Sequence, residues 1–425
     1  MRVGIGILGG GTVGGTLARK LLEDREVIAA KSGIDLELVR VAVRDLSLPR
    51  VFPASYATDR PEEVVADPSV DLVVEVMGGL EPALGLVLAA LDLGKPVVTA
   101  NKEMVAAEGP TLFTRAASKG VSLLFEAAVG GGIPLIRPLS ESLSGERIRR
   151  VLGIVNGTTN FILTAMESEG WSYEAAVAEA QRLGYAEADP TADVSGADAG
   201  AKAAILAGLA FGVWVGPGRV FVEGIEGLDA ADLVYARQLG YRVKLLAVAE
   251  DTGDGVVARV HPAFVPLDHP LSGVRGAANA VFIEGPDIGE LLFMGPGAGG
   301  GPTATAVLGD VIEAARELLA AAQVAPRIRF GPGTVLDFAD VETKWYLRLE
   351  VVDAPGVLAQ IAGVFGEHRV SIMSVWQEGR GDAATLLLVT HDAPESNHRA
   401  ATDALRHLDV VRQVAATVRV VTDEP

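Results

Sequence analysis

Residues 3–22 read VGIGILGGGTVGGTLARKLL, and this stretch decides the fold of the first part of the chain. Val3 to Leu8 form a short apolar strand that runs into Gly9-Gly10-Gly11-Thr12-Val13-Gly14 and then into a helical pattern through Ala18, Leu21 and Leu22. The glycines follow the spacing GxGxxG in the order strand, turn, helix, which is the setting that gives the spacing weight. Each has a physical task. The turn is tight, the backbone must approach a pyrophosphate, and the helix packs closely on the strand with its N-terminus facing the anion. Gly9, Gly11, Thr12, Val13 and Gly14 are therefore candidate dinucleotide contacts, against the blander reading of a glycine-rich turn.

Further along, Leu38 to Val43 reads as a second strand ending at Arg44-Asp45. An acid at that point takes the ribose hydroxyls of NAD, and an arginine suits the extra phosphate of NADP. Both residues are present, so NAD and NADP stay open. Asp71 to Val76 is a third strand, closing on Met77-Gly78-Gly79, and Pro96 to Ala100 a fourth, closing on Asn101-Lys102. Ala83 to Leu93 between them has helical spacing, so strand and helix alternate as in a doubly wound parallel sheet. Lys102 sits at the carboxyl end of a strand, where such sheets bind ligands; it either contacts a phosphate or polar substrate or merely solvates a loop. Val121 to Phe125 is a further strand, followed by Glu126-Ala127-Ala128-Val129-Gly130-Gly131-Gly132-Ile133-Pro134. Glycine and proline prevent regular structure there, leaving carbonyl oxygens beside one carboxylate, a set that suits a hard cation; a hinge with no ion is the competing reading.

Composition bounds the remaining possibilities. At 425 residues the chain has room for about three domains. Hydrophobic residues make up 49% and charged ones 21%, which is the balance of a folded globular protein. A net charge of −19 argues against a nucleic-acid or anionic-membrane partner. No apolar run reaches the roughly 18 residues needed to span a bilayer, and the expected location is cytoplasmic. With no cysteine there is no disulfide, thiolate metal site or thiol nucleophile. The histidines show no HxxxH or HExxH spacing, which leaves a histidine-built metal site without support.

Val151 to Asn160, VLGIVNGTTN, reads as a strand entering a polar turn that caps a helix, with amides and hydroxyls able to hold the polar end of a substrate. Leu183 to Val215 then crowds Glu187, Asp189, Asp193, Asp198 and Lys202 in front of an apolar helix. Ser195 followed by Asp198 fits an N-cap with an acid at the third helical position. Asp198 and Lys202 are then one turn apart. On a solvated helix such a pair contributes about 0.2–0.5 kcal/mol. Here alanine and glycine surround it and Ile205, Leu206, Leu209, Phe211 and Val213 follow, so the helix is expected to be buried all round. A partly desolvated ammonium beside a carboxylate can be tuned toward proton transfer. Spacing alone leaves proton transfer and a structural ion pair on equal footing.

The glycine motif, EVMGG at 75–79, TANK at 99–102, EAAVGGGIP at 126–134, GIVNGTTN at 153–160 and GYAEADPTADVSGADAGAK at 184–202 together resemble homoserine dehydrogenase over about the first 330 residues. The resemblance implies a Rossmann-type cofactor domain at 1–134 to which 296–330 return, and a central α+β domain at 135–295 that binds substrate and supplies a homodimer or higher homo-oligomer contact. It implies catalytic Lys202 and Asp198, substrate contacts at Glu187, Asp193, Asp198, Gly157 and Thr158, and cofactor contacts that add Arg44, Lys102, Gly184 and Gly297. It also implies a monovalent cation, sodium or potassium, on Glu126 and the carbonyls of Val129, Gly131 and Ile133.

Gly331-Pro332-Gly333 breaks the chain, residues 331–344 read as a linker, and from Trp345 the order βαββαβ follows, the ferredoxin-like pattern. The segment DAPGVLAQIAGVF is similar to the ACT regulatory domain, placing an amino-acid effector, threonine by the resemblance, near Gly356. Dimerisation alone is the other reading of this unit. Two alternatives to the enzyme stand beside it: another NAD(P)-dependent amino-acid dehydrogenase, and a non-catalytic nucleotide and amino-acid sensor. The Asp198/Lys202 pair favours an enzyme, because a sensor needs no proton donor.

Overall fold

The computed structural model describes residues 2–320, 327–379 and 384–422. By contact the chain divides into two compact units, the first made of Met1–Ile148, Ala204–Pro217 and Gly285–Pro332, the second of Arg149–Ala203, Gly218–Glu284 and Gly333–Pro425.

In the first unit, β1 (Arg2–Leu8), β2 (Asp35–Ala42), β3 (Ala57–Thr58), β4 (Leu72–Glu75), β5 (Val97–Thr99) and β6 (Leu123–Leu124) form one sheet in the order β3-β2-β1-β4-β5-β6. Every pairing is parallel. That order reverses direction beside β1, the feature that opens a dinucleotide crevice at the carboxyl ends. Val3, Ile5 and Ile7 share one core cluster with Leu17, Ala18 and Leu21 of the helix Thr12–Glu23 and with Ala304, Val307 and Val311 of the helix Gly300–Ala320. Helix Lys102–Lys119 runs through Gly109-Pro110, with the proline inside it. Gly109 is there because a Cβ would collide with the indole of Trp214.

The second unit is built on a mixed sheet. Strand Arg150–Ile154 pairs antiparallel with Ala278–Gly285 on one side and Tyr241–Asp251 on the other, and Tyr241–Asp251 pairs antiparallel with Val256–Pro266. The βαββαβ order follows as strand Glu342–Val351, helix Val357–Glu367, strands Ile372–Glu378 and Ala384–Thr390, helix Glu395–Leu405 and strand Val411–Val420. Its last strand joins Val256–Pro266 in parallel register, with Ala263 opposite Arg419 and Phe264 opposite Val420. The segment read as a linker is held down: Leu336 donates its N–H to the Val256 carbonyl at 2.9 Å, and Val335 bridges Val256. The segments read as substrate-binding and regulatory therefore share one sheet. Among the described residues no helix is long and apolar enough to cross a membrane.

Candidate active site

The strand Arg150–Ile154 delivers its last peptides to the acid-rich segment. Asn156 is the N-cap of helix Gly157–Glu169, in extended conformation, and its Oδ1 accepts from the Thr159 N–H at 2.9 Å. The other end of the same amide, Nδ2, donates to Asp193 Oδ1 at 2.6 Å and to Asp198 Oδ2 at 2.9 Å. Lys202 Nζ donates to Asp198 Oδ2 and to the Val155 carbonyl, both at 2.7 Å. The side chains of Lys202 and Asp198 are 11% and 8% exposed, so the pair is not the solvated helix pair of the blander reading. Gly157 is required by a close approach: a Cβ there would lie 2.7 Å from the Ala277 carbonyl. Thr158 is buried and donates its hydroxyl to the Tyr185 carbonyl at 2.6 Å.

Helix Ala197–Phe211 begins after Ser195, which closes the short helix Thr191–Val194, and Gly196 at φ +84° makes the turn between them. Ser195 is therefore not the N-cap and Asp198 is the second helical residue. The four-residue spacing to Lys202 is unaffected, because it depends only on the helix being continuous. The helix is not buried all round either, since Ala197 faces solvent while Ala199, Gly200 and Ala203–Ala207 are buried. Glu187 is exposed, Asp189 accepts from the N–H and hydroxyl of Thr191, and Gly184 is an exposed turn residue at φ +77°.

In the first unit, the glycine turn has the shape its sequence requires. Gly9 sits at φ +107° with a Cβ position 2.7 Å from the Val76 carbonyl, and a Cβ on Gly14 would strike the Gly9 carbonyl at 1.8 Å. Gly11 is different: it is exposed, and a Cβ there would meet nothing within 4 Å. Helix Thr12–Glu23 opens at Gly11 without a side-chain cap, the kind of helix N-terminus that can receive an anion. Gly300 packs where a Cβ would lie 3.0 Å from Thr16 Oγ1. At the end of β2, Arg44 is exposed, and Asp45 accepts from both the N–H and hydroxyl of Ser47, which hold its carboxyl below the usual range. Arg50, which the sequence reading passed over, donates to the carbonyls of Gly10 at 3.2 Å and Asp45 at 2.5 Å.

At the ends of β4 and β5, burial pushes the Glu75 carboxyl up against bonds from Thr99 Oγ1 and the Met77 N–H at 2.5 and 2.8 Å. Asn101 donates to the Gly79 carbonyl at 2.6 Å and caps the helix that Lys102 begins. The Glu126 loop is ordered by its own carboxylate, which accepts the N–H groups of Leu135, Ile136 and Arg137 at 2.5, 2.7 and 3.0 Å. Asp310 accepts the Glu126 N–H at 2.8 Å and Arg137 Nη2 at 3.0 Å, and burial pushes its carboxyl up to about 7. Gly131, at φ +57°, abuts the Gly297 carbonyl closely enough to exclude a Cβ. Among the described residues no group of three or more acids and histidines could hold a metal ion. An ion at this loop would rest on one carboxylate and carbonyl oxygens, an oxygen-only set that suits a hard cation rather than a soft transition metal. In the last segment, Gly356 at φ +89° is the exposed N-cap of helix Val357–Glu367.

Comparison with known proteins decides the family. Residues 134–312 match the homoserine dehydrogenase family, residues 9–126 its NAD binding domain, and residues 345–408 the ACT domain. The chain is 45% identical to a homoserine dehydrogenase of Corynebacterium glutamicum, covering 99% of this chain and 96% of that one. The chain belongs to the homoserine dehydrogenase family. It is 46% identical to the Mycobacterium tuberculosis relative, with 98% of this chain and 97% of that one covered. The crystal structure of a homoserine dehydrogenase from Thiobacillus denitrificans superposes with a TM-score of 0.92 at 40% identity, covering 99% of this chain and 98% of that one. A hyperthermophilic archaeal homoserine dehydrogenase in complex with NADPH superposes with a TM-score of 0.63 at 32% identity, over 76% of this chain and 100% of that one. The enzyme is thus an oxidoreductase with a nicotinamide-cofactor domain and an ACT domain.

Proposed function

We propose that this enzyme interconverts L-homoserine and L-aspartate 4-semialdehyde with Lys202 as the proton donor and acceptor. The observation that carries the reading is the fixed geometry of Lys202, held by Asp198 and by the Val155 carbonyl. The nicotinamide cofactor supplies or accepts the hydride at the substrate C4. Lys202 gives a proton to the carbonyl oxygen as it becomes a hydroxyl, and takes that proton back in the oxidative direction. Asp198 orients the lysine and, with Glu187 and Asp193, holds the substrate, whose ammonium is a fitting partner for Glu187. The amide of Gly157 and the Thr158 hydroxyl serve the substrate's polar end. Gly9, Gly11, Thr12, Val13 and Gly14 receive the pyrophosphate, with Lys102, Gly184 and Gly297 as further cofactor contacts. Arg44 receives the 2′-phosphate of NADP, and Asp45 beside it keeps NAD acceptable.

Three regulatory and structural features complete the proposal. A monovalent cation, sodium or potassium, rests on Glu126 and the carbonyls of Val129, Gly131 and Ile133. Threonine binds the ACT segment near Gly356, where helix N-terminal amides can receive a carboxylate. The chain assembles as a homodimer or higher homo-oligomer. One matrix of spectrophotometric assays tests the reading: homoserine with NAD and NADP, in sodium, potassium and a bulky organic cation, with and without millimolar threonine. Homoserine-dependent reduction of cofactor is expected, strongest in a small monovalent cation and reduced by threonine. No oxidation of homoserine with either cofactor would overturn the activity, identical rates in all three cations the ion site, and identical rates with threonine the effector.

A further inference from the structure

We infer that Asn156 is a positioning residue for the proton-transfer site: its side-chain amide clamps Asp193 and Asp198 together and thereby aims Lys202. The inference rests on the role proposed for Lys202. Helix Gly157–Glu169 needs only an acceptor at position 156 for the Thr159 N–H, and aspartate or serine would serve as well as asparagine. Asparagine alone adds two donors to that acceptor without adding charge. Both are used, one on Asp193 Oδ1 at 2.6 Å and one on Asp198 Oδ2 at 2.9 Å.

The amide orientation is fixed by its surroundings. Turning it over would set its oxygen against two carboxylates and its NH2 against the Thr159 N–H, so only the present sense satisfies all three partners. The two carboxylates come from different elements, the short helix Thr191–Val194 and the helix Ala197–Phe211, and Asn156 is buried between them. Without a shared donor, two carboxylates on one small group would repel each other and drift apart. The preceding residue contributes as well, because the Val155 carbonyl takes one Lys202 proton while Asp198 Oδ2 takes another. An ammonium has three protons, so fixing two fixes the direction of the third. Residues 155 and 156 therefore set where the lysine points, and Asn156 does so through Asp198.

The experiment compares Asn156→Ser and Asn156→Asp with the parent full-length enzyme. Both variants keep an N-cap acceptor; serine loses the paired amide donors, and aspartate replaces them with a third carboxylate. Melting temperature and KM for the cofactor are expected to stay close to those of the parent in the serine variant. Its kcat is expected to fall about 10- to 100-fold, the usual cost of a displaced reacting group, and further in the aspartate variant. The primary isotope effect from cofactor deuterated at the transferred position is expected to rise as chemistry becomes slower. Equal kcat and an unchanged isotope effect in the serine variant would overturn the inference, as would a kcat loss matched by loss of stability or cofactor affinity. Lys202→Ala is the control: near-normal turnover there sinks the lysine assignment and this inference together. An inactive Lys202→Ala beside a normal Asn156→Ser sinks only the inference.

Discussion

Two lysines of the second unit are withdrawn from water and are handled in opposite ways. Lys202 has a carboxylate, Asp198, at 2.7 Å and remains 11% exposed at its side chain. Lys244, on the strand Tyr241–Asp251, is 1% exposed and donates to neutral oxygens, Asn160 Oδ1 at 2.8 Å and the Val274 carbonyl. Burial pushes the Lys244 ammonium down to about 7, the nearby cations Arg242 and Arg275 push the same way, and Glu167 opposes them. Neutral acceptors suffice for a lysine that can be uncharged, whereas the proton cycling proposed for Lys202 calls for a counter-charge beside the amine. The same polar turn supplies both sites, since Asn156 caps the helix beside Lys202 and Asn160, one turn on, faces Lys244.

The largest expected effect separates the two in function. Lys202→Ala should lower kcat by about two to four orders of magnitude, the usual worth of a positioned acid–base group, with KM for the cofactor nearly unchanged. Steady-state kinetics with homoserine check it, and turnover within about threefold of the parent would put the proton elsewhere.

Lys244 should instead reveal itself in stability. Its folded-state pKa of about 7 lies below the unfolded value of 10.5, so between those pH values the unfolded chain binds a proton that the folded chain does not. Stability gained from the neutral amine is fully present above 10.5 and is lost as pH falls toward 7. Unfolding free energy should therefore rise from pH 7 to 10 with this group contributing up to about 1.4 kcal/mol per pH unit. Lys244→Met should remove that slope. It should also cost about 1–3 kcal/mol at alkaline pH for leaving Asn160 Oδ1 without its donor. Urea titrations of parent and variant at pH 7.5, 8.5 and 9.5 measure both, and parallel slopes would show that Lys244 titrates normally.

The contrast also marks how far the sequence could be read. The glycine turn was legible because steric demands at Gly9 and Gly14 leave only one residue type, and the parallel sheet followed from alternating apolar strands and helices. The Asp198–Lys202 spacing was legible because it is local to one helix. Asn156 was visible only as part of a polar turn, since its second and third partners lie 37 and 42 residues away. Lys244 did carry a signal, a lone cation in the apolar run VKLLAVA, but nothing local names Asn160 or Val274 as its acceptors. Arg50 had none, because its contacts with Gly10 and Asp45 depend on how the loop after β2 folds back. The union of the central strands with the last βαββαβ segment was likewise hidden, since its pairing, Ala263 with Arg419 and Phe264 with Val420, joins strands distant in sequence.

The smallest expected effect is the one that converts one lysine into the other. Asn160→Asp would give Lys244 a carboxylate where it now has an amide oxygen at 2.8 Å, reproducing the arrangement at Lys202. Two terms then oppose each other at neutral pH. The new pair gains Coulomb energy in a buried setting, but both charges are desolvated there, and such pairs often come close to break-even. The substitution also removes the Nδ2 donor that Asn160 now gives the Ala278 carbonyl at 3.0 Å, a loss of about 1 kcal/mol. Stability at pH 7 should therefore change by only about 1–2 kcal/mol in either direction. The pH dependence should change more clearly. An adjacent carboxylate favours the charged amine, so the folded-state pKa of Lys244 moves back up toward 10.5 and the difference in bound protons between folded and unfolded chains closes. The rise in unfolding free energy between pH 7.5 and 9.5 should flatten in this variant as it does in Lys244→Met, while the lysine is still present. A slope as steep as the parent's would mean that a carboxylate at position 160 does not reach the ammonium, and that the difference between the two lysines lies in the depth of burial alone.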